Sequence, residues 1–166
     1  MRGREINYTF WGEPIDTNWY EWYLAVRTLF EKCGYKITHY AIDSESYHPD
    51  RAVTALRKEK AIENILKTGE VPKSIECYSV PKDYITLIGD HSLCCIRTRN
   101  FISVIVRENA MQHLDESAIL EMKKYIRVES GEVFSADKCN SFFISYERTE
   151  KMKSSHHYEL IKAIEG

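Results

Sequence analysis

The sequence predicts a single α+β domain over residues 1–166: a mixed sheet that opens with a βαβ unit, continues as an antiparallel meander, and carries its helices mainly on one face. Three observations predict it. The stretch from Glu5 to Asp43 switches from period-two alternation to helical spacing and back again. The middle of the chain strings together β-branched and aromatic runs whose connecting turns are so short that they force antiparallel pairing. The order of elements, β-α-β-α, then strands in succession, then α-β-β-α, completes the pattern.

Ile6, Tyr8 and Phe10 alternate with Glu5, Asn7 and Thr9 in a half-buried strand that Gly12 and Pro14 end. Asp16 stands as a helix N-cap, with Ile15 and Tyr20 set as a hydrophobic staple. Trp19, Trp22, Tyr23, Val26, Phe30 and Cys33 share one helical face, and Gly34 supplies the left-handed stop. Seven aromatic residues, including all three tryptophans, fall between positions 8 and 23, so this segment seeds the core. Tyr20 and Leu24 lie on another flank, covered by a second helix or offered to a partner. Ile37 to Asp43 resumes as a strand. If the two strands pair, the crossover is right-handed and they run parallel. The loops 11–16 and 43–50 then emerge at one edge of the sheet.

Residues 50–68 read as a helix ending at Gly69, with Leu56, Ile62, Ile65 and Leu66 as apolar contacts and Arg57, Lys58 and Lys60 as a solvated face. Ser74–Val80 is a short extended segment between two prolines. Tyr84–Gly89, Ser92–Thr98 and Phe101–Arg107 make the meander, turning at Gly89-Asp90 and Arg99-Asn100. Asp115 opens a helix whose inner stripe is Ala118, Ile119, Met122, Tyr125 and Ile126, with Ser130-Gly131 as its end. Val133–Ala136 and Ser141–Arg148 read as a final hairpin, and a terminal helix from about His156 carries Tyr158, Leu160, Ile161 and Ile164.

Composition sets bounds on function. Charged residues make up 29% and the net charge is −2, so no strong field points to nucleic acid or an anionic membrane. Apolar runs are only a few residues long, too short for a membrane span, and Met1-Arg2-Gly3-Arg4 runs straight into a strand without a leader, so the expected location is cytoplasmic. The five cysteines, Cys33, Cys77, Cys94, Cys95 and Cys139, lack zinc spacing and read as structural thiols. Residues 1–50 hold five Lys/Arg against eight Asp/Glu, and Glu13, Asp16, Asp43, Glu45 and Asp50 gather in or beside the two loops.

Motifs for catalysis do not appear. There is no phosphate-cradling glycine loop, no G-x-S-x-G elbow, and no zinc protease or zinc deaminase set. The acidic run from Asp43 lacks the glycine and closing glutamate of a calcium loop. His156-His157 reads as a surface pair and Asp90-His91 as a hairpin turn. His48, with Glu45 and Asp50, is the one histidine–carboxylate cluster in an edge loop. No cofactor or metal is implied by these residues.

The opening Tyr8-Thr9-Phe10-Trp11-Gly12, followed by a short polar turn and an amphipathic helix, resembles the start of some bacterial immunity proteins. These are small cytoplasmic antidotes to polymorphic or contact-dependent toxins. The resemblance covers residues 1–35, and the near-neutral charge departs from the strongly acidic character of many nuclease antidotes. It implies binding and blocking without catalysis. The residues expected to meet a basic protein partner are Trp11, Glu13, Asp16, Asp43, Glu45, Tyr47 and Asp50, carboxylates ringing aromatic anchors. The alternatives are a small enzyme using His48 with Glu45 or Asp50 as acid–base groups, or a scaffold subunit.

Overall fold

The computed structural model describes residues 3–138 and 140–166, for positions 108 and 109 the backbone alone. Met1, Arg2 and Cys139, with the readings made of them, lie outside the described residues. The chain builds one eight-stranded sheet in the order β3-β2-β4-β5-β6-β1-β7-β8. The strands are β1 Arg4–Glu13, β2 His39–Asp43, β3 Val53–Thr54, β4 Ser74–Ser79, β5 Leu93–Thr98, β6 Phe101–Arg107, β7 Arg127–Asp137 and β8 Glu159–Ile164. The helices are α1 Trp19–Lys32, α2 Ala55–Lys67, α3 Leu87–Asp90, α4 Glu116–Leu120, α5 Ser141–Glu147 and α6 Glu150–Ser155.

The fold class is α+β, and the central β4-β5-β6 meander is present. The parallel pairing is not. β1 pairs antiparallel with β6 and β7, β2 pairs antiparallel with β3 and β4, and every pairing in the sheet is antiparallel rather than mixed. Three strands stand between β1 and β2, so α1 spans a split crossover. Four successive antiparallel steps nevertheless return β2 and β1 to the same sense, which sends both strand exits to one edge of the sheet. At ~4.8 Å per strand they are roughly 19 Å apart.

α1 keeps its expected stripe: Trp19, Trp22, Tyr23, Val26, Phe30 and Cys33 are buried in one core with Tyr8, Phe10 and Val104, and Leu29 joins them. It ends as expected, with Gly34 at φ 81° and the Tyr35 N–H donating back to the Phe30 carbonyl at 2.9 Å. Its start differs. The N-cap is Asn18, in a left-handed conformation that Asn tolerates, and Asp16 lies outside the helix. Tyr20 donates to Glu63 of α2 at 3.1 Å, so α2 covers this flank while Leu24 stays exposed.

α2 begins five residues later than expected, and Leu56 points to solvent at 97% exposure. Residues 84–89 form a loop and the short α3, not a strand. The helix from Asp115 shortens to α4 and a 3-10 turn, because residues 127–137 are drawn into β7 beside β1. Ser141–Arg148 is no hairpin arm but α5, and the terminal segment is the edge strand β8 rather than a helix.

The change at α5 has its cause in the sheet. α1, α2 and α4 pack on one face of the sheet, as expected, but the other face is covered as well, by α5, α6 and Leu87 of α3. Glu5, Asn7 and Thr9 of β1 therefore face a helix, not water, and are buried. Their polarity is met in kind: Asn7 donates to Ser145 Oγ at 2.8 Å, and Thr9 shares hydrogen bonds with Ser103 and Ser145 at 2.7 and 2.9 Å. A closed hydroxyl–amide network removes the penalty of burying these groups.

Candidate functional site

β1 leaves the sheet through a bulge between Trp11 and Gly12. A Cβ at Gly12 would lie 1.9 Å from the Arg127 carbonyl oxygen, so only glycine admits the approach, and its N–H donates to the Asn100 carbonyl at 3.0 Å. The following loop is held from beneath by Arg97, which is 2% exposed. Its guanidinium lies 4.1 Å over the Trp19 ring and donates to the carbonyls of Ile15, Thr17, Asn18 and Tyr125. Burial pulls its pKa down to about 10, so it remains a cation.

The 43–50 loop is fastened differently. The Ser44 hydroxyl, and the Ser46 hydroxyl at 2.9 Å, donate to the Glu70 carboxylate and hold it below the usual carboxylate range. The Lys73 N–H donates to the Asp43 carbonyl at 2.8 Å. His48 places Nδ1 3.1 Å from the Ser44 carbonyl. Among the described residues no three His, Cys, Asp or Glu side chains are grouped to hold a metal ion.

Two clefts adjoin along this edge. One, of about 590 Å³, includes Trp11, Lys73, Arg99, Tyr146 and Arg148; the other, of about 490 Å³, includes Asp43, Glu45, His48, Lys73 and Arg99. Lys73 and Arg99 are common to both. Of the seven residues expected there, Trp11, Asp43 and Glu45 line these clefts, though not in the expected state. Trp11 is 5% exposed: its indole N–H donates to the Ser145 carbonyl at 2.9 Å and the Arg148 guanidinium lies 3.9 Å over its ring. Glu13 sits 3.9 Å from Arg127 and Asp16 3.9 Å from Arg99. Asp43 and Glu45 are exposed in the second cleft; Tyr47 is half-buried on the core, and Asp50 is exposed outside both clefts.

Lys73, Arg99, Tyr146 and Arg148 were not expected at this edge. Arg99-Asn100 is legible as a turn, but only the strand order places that turn between the two loops. The result is an edge of mixed charge rather than an acidic one.

At the opposite end of β1 lies a second polar group that the sequence pattern does not disclose. Glu5 accepts from the Ser141 N–H at 3.1 Å and its hydroxyl at 2.6 Å, which seats α5. The same carboxylate lies 3.7 Å from Arg107 and 3.8 Å from His91. Asp90 and His91 do not act as a pair. Asp90 accepts from the Ile85 and Thr86 N–H groups, while His91 points inward and is 3% exposed. Burial, and then the Arg107 and Lys138 charges, push the His91 pKa down to about 3 against the pull of Asp90, so the ring is neutral. At the neighbouring corner His157 lies on the surface, as expected, and its Nδ1 is 2.6 Å from Asp137.

No protein-family model and no curated protein sequence matches the chain. Among solved structures, a chain from the complex of the toxic C-terminal tip of CdiA from Pseudomonas aeruginosa with its immune protein is similar over 81% of this chain and 87% of that one. The TM-score is 0.36 and the identity 8%, an agreement that transfers neither a fold family nor a function. No helix among the described residues is long and apolar enough to cross a membrane.

Proposed function

We propose that this chain is a binding protein that docks a protein partner against the edge where β1 and β2 end, and that it works as an immunity-type antidote by covering the partner's active site. The observation that carries the reading is the meeting of the two loops at one edge, around shared Lys73 and Arg99. Each loop is fixed by hydrogen bonds to groups outside it, Arg97 to the Ile15 carbonyl and Ser46 to Glu70, so little ordering entropy is lost on docking. The resemblance of the opening stretch supplies the antidote role; the geometry supports the docking.

The fit is to a partner with a basic surface. Asp43, Glu45 and Asp50 are exposed, and among the described residues no ion pair engages them. Such charges speed encounter and set register more than they add affinity. Reversing all three should slow association with the captured partner about tenfold or more at low salt and flatten the salt dependence. Association measured by stopped flow that stays unchanged would remove this edge from the interface.

A further inference from the structure

The second face of the sheet is not covered evenly. α5 lies over β1, β6 and β7, while the adjoining surface of β2 and β4 is only half-buried at His39, Ala41 and Glu76. At the border stands Tyr146 of α5, 44% exposed. Tyr146 also lines the larger cleft of the docking edge, so the two surfaces are continuous.

Glu76 sits on this surface with an unusual set of partners. The Tyr78 hydroxyl donates to its Oε2 at 2.8 Å and the Tyr146 hydroxyl to its Oε1 at 3.3 Å. Among the described residues no cation lies within ion-pair distance, and the nearby guanidinium of Arg148 is spent on the Trp11 ring and the Ser130 hydroxyl. A half-buried carboxylate with two hydroxyl donors and no counter-charge is placed to take one up. Burial raises the pKa of Glu76 against the two tyrosine hydrogen bonds that hold it down.

The unused capacity of Glu76 has a shape. A carboxylate has about four acceptor positions on two oxygens, and the tyrosines take one on each. One position per oxygen remains, the arrangement that a guanidinium fills with two parallel N–H groups. The Tyr146 ring beside it packs on Phe101 and Phe142 and turns its open side to the same planar cation.

We infer that Glu76 and Tyr146 form a receptor for one arginine side chain of the protein partner. This rests on the docking reading above and gives it a specific anchor: the basic surface leads with an arginine that reaches past the rim onto the sheet. Lysine fits less well, because a compact ammonium neither stacks nor bridges both oxygens.

The test has two arms that fail separately. In the first, uniformly ¹³C-labelled protein is titrated with butylguanidinium chloride, with sodium chloride at matched ionic strength as control, and the Glu76 carboxyl and Tyr146 ring signals are followed by NMR. A saturable shift is expected, with the Glu76 titration midpoint moving down; Tyr146→Ala should abolish the saturation. A response that tracks ionic strength alone, or survives Tyr146→Ala, overturns the receptor. In the second arm, Glu76→Gln, which keeps the side chain's shape, should weaken the captured partner about tenfold or more. Unchanged affinity in Glu76→Gln, with binding still lost on reversal of Asp43, Glu45 and Asp50, overturns the receptor and leaves the docking edge standing. Saturable guanidinium binding by a protein that captures no partner does the reverse.

Discussion

Strand β1 carries a glutamate near each end, and the two sit in opposite settings. Glu5 is 1% exposed, caps α5 and lies between Arg107 and His91; Glu13 is open to solvent and meets Arg127 only at 3.9 Å. Both positions carry the same residue, on either side of the bulge at Trp11 and Gly12. What separates them is cover: a helix lies over one end, and the other end protrudes beyond it. A buried charge network specifies the fold there because it cannot be broken cheaply, whereas an exposed pair leaves its charges free to be re-used by a partner.

Breaking the buried end should have the largest effect. Glu5→Ala would leave buried Arg107 with only the Ile88 and Gly89 carbonyls and release the N-terminus of α5, at a cost of about 3 kcal/mol in urea unfolding. A loss below about 1 kcal/mol would mean that the two ends of β1 are not so different. Arg97 tests the contrast from the other side, as a buried cation beneath the exposed edge. Arg97→Met keeps the volume but leaves the Tyr125 carbonyl and the 15–18 turn without their donor. The expected loss is about 2–3 kcal/mol, with faster amide exchange confined to residues 14–18.

Acid should find the same end of β1 first. His91 is neutral in the folded protein, with a pKa near 3, and ordinary in the unfolded chain. Below about pH 6.5 the unfolded state binds a proton that the folded state refuses, so stability falls as pH falls. Between pH 6.5 and 5, before ordinary carboxylates titrate, the loss should be about 1.5 kcal/mol. His91→Gln should flatten that window; an equally steep slope in the variant would place the acid sensitivity elsewhere.

The contrast also explains what could be read in the sequence. β1, α1 with its Gly34 stop, and the β5–β6 hairpin were legible because each has a periodicity and a punctuation of its own. Glu5, Asn7 and Thr9 were not, since alternation marks a polar side without saying what covers it. The cover, α5, has the sequence Ser-Phe-Phe-Ile-Ser-Tyr-Glu, β-rich in composition, and becomes helical by setting Ser141 and Ser145 one turn apart against that polar side. Local propensity lost to a hydrogen-bonding match with a strand more than 130 residues away. β8 went the other way: Leu160, Ile161 and Ile164 suit a helix stripe, but the free edge of β7 pairs with the segment as a strand. The edge where the two loops leave was legible for a partly wrong reason. Both loops do leave by one edge, through four antiparallel steps rather than one parallel pairing, and the cations among them were hidden until the strand order was known.

The smallest expected stability effect belongs to the exposed pairs, and it sharpens the comparison most. Glu13 with Arg127 and Asp16 with Arg99 are solvated at 3.9 Å, so Glu13→Ala or Asp16→Ala should change unfolding free energy by less than about 1 kcal/mol. Binding is another matter. If a basic partner takes over these carboxylates, Arg99 and Arg127 compete with it, and removing them should speed association while barely altering stability. Arg99→Ala and Arg127→Ala together should therefore raise the association rate, by about threefold at low salt, and bring it back toward the parent's value as salt is added. A double variant that associates more slowly would make the two arginines contacts rather than competitors, and would turn the charge preference of this edge from basic partners toward acidic ones.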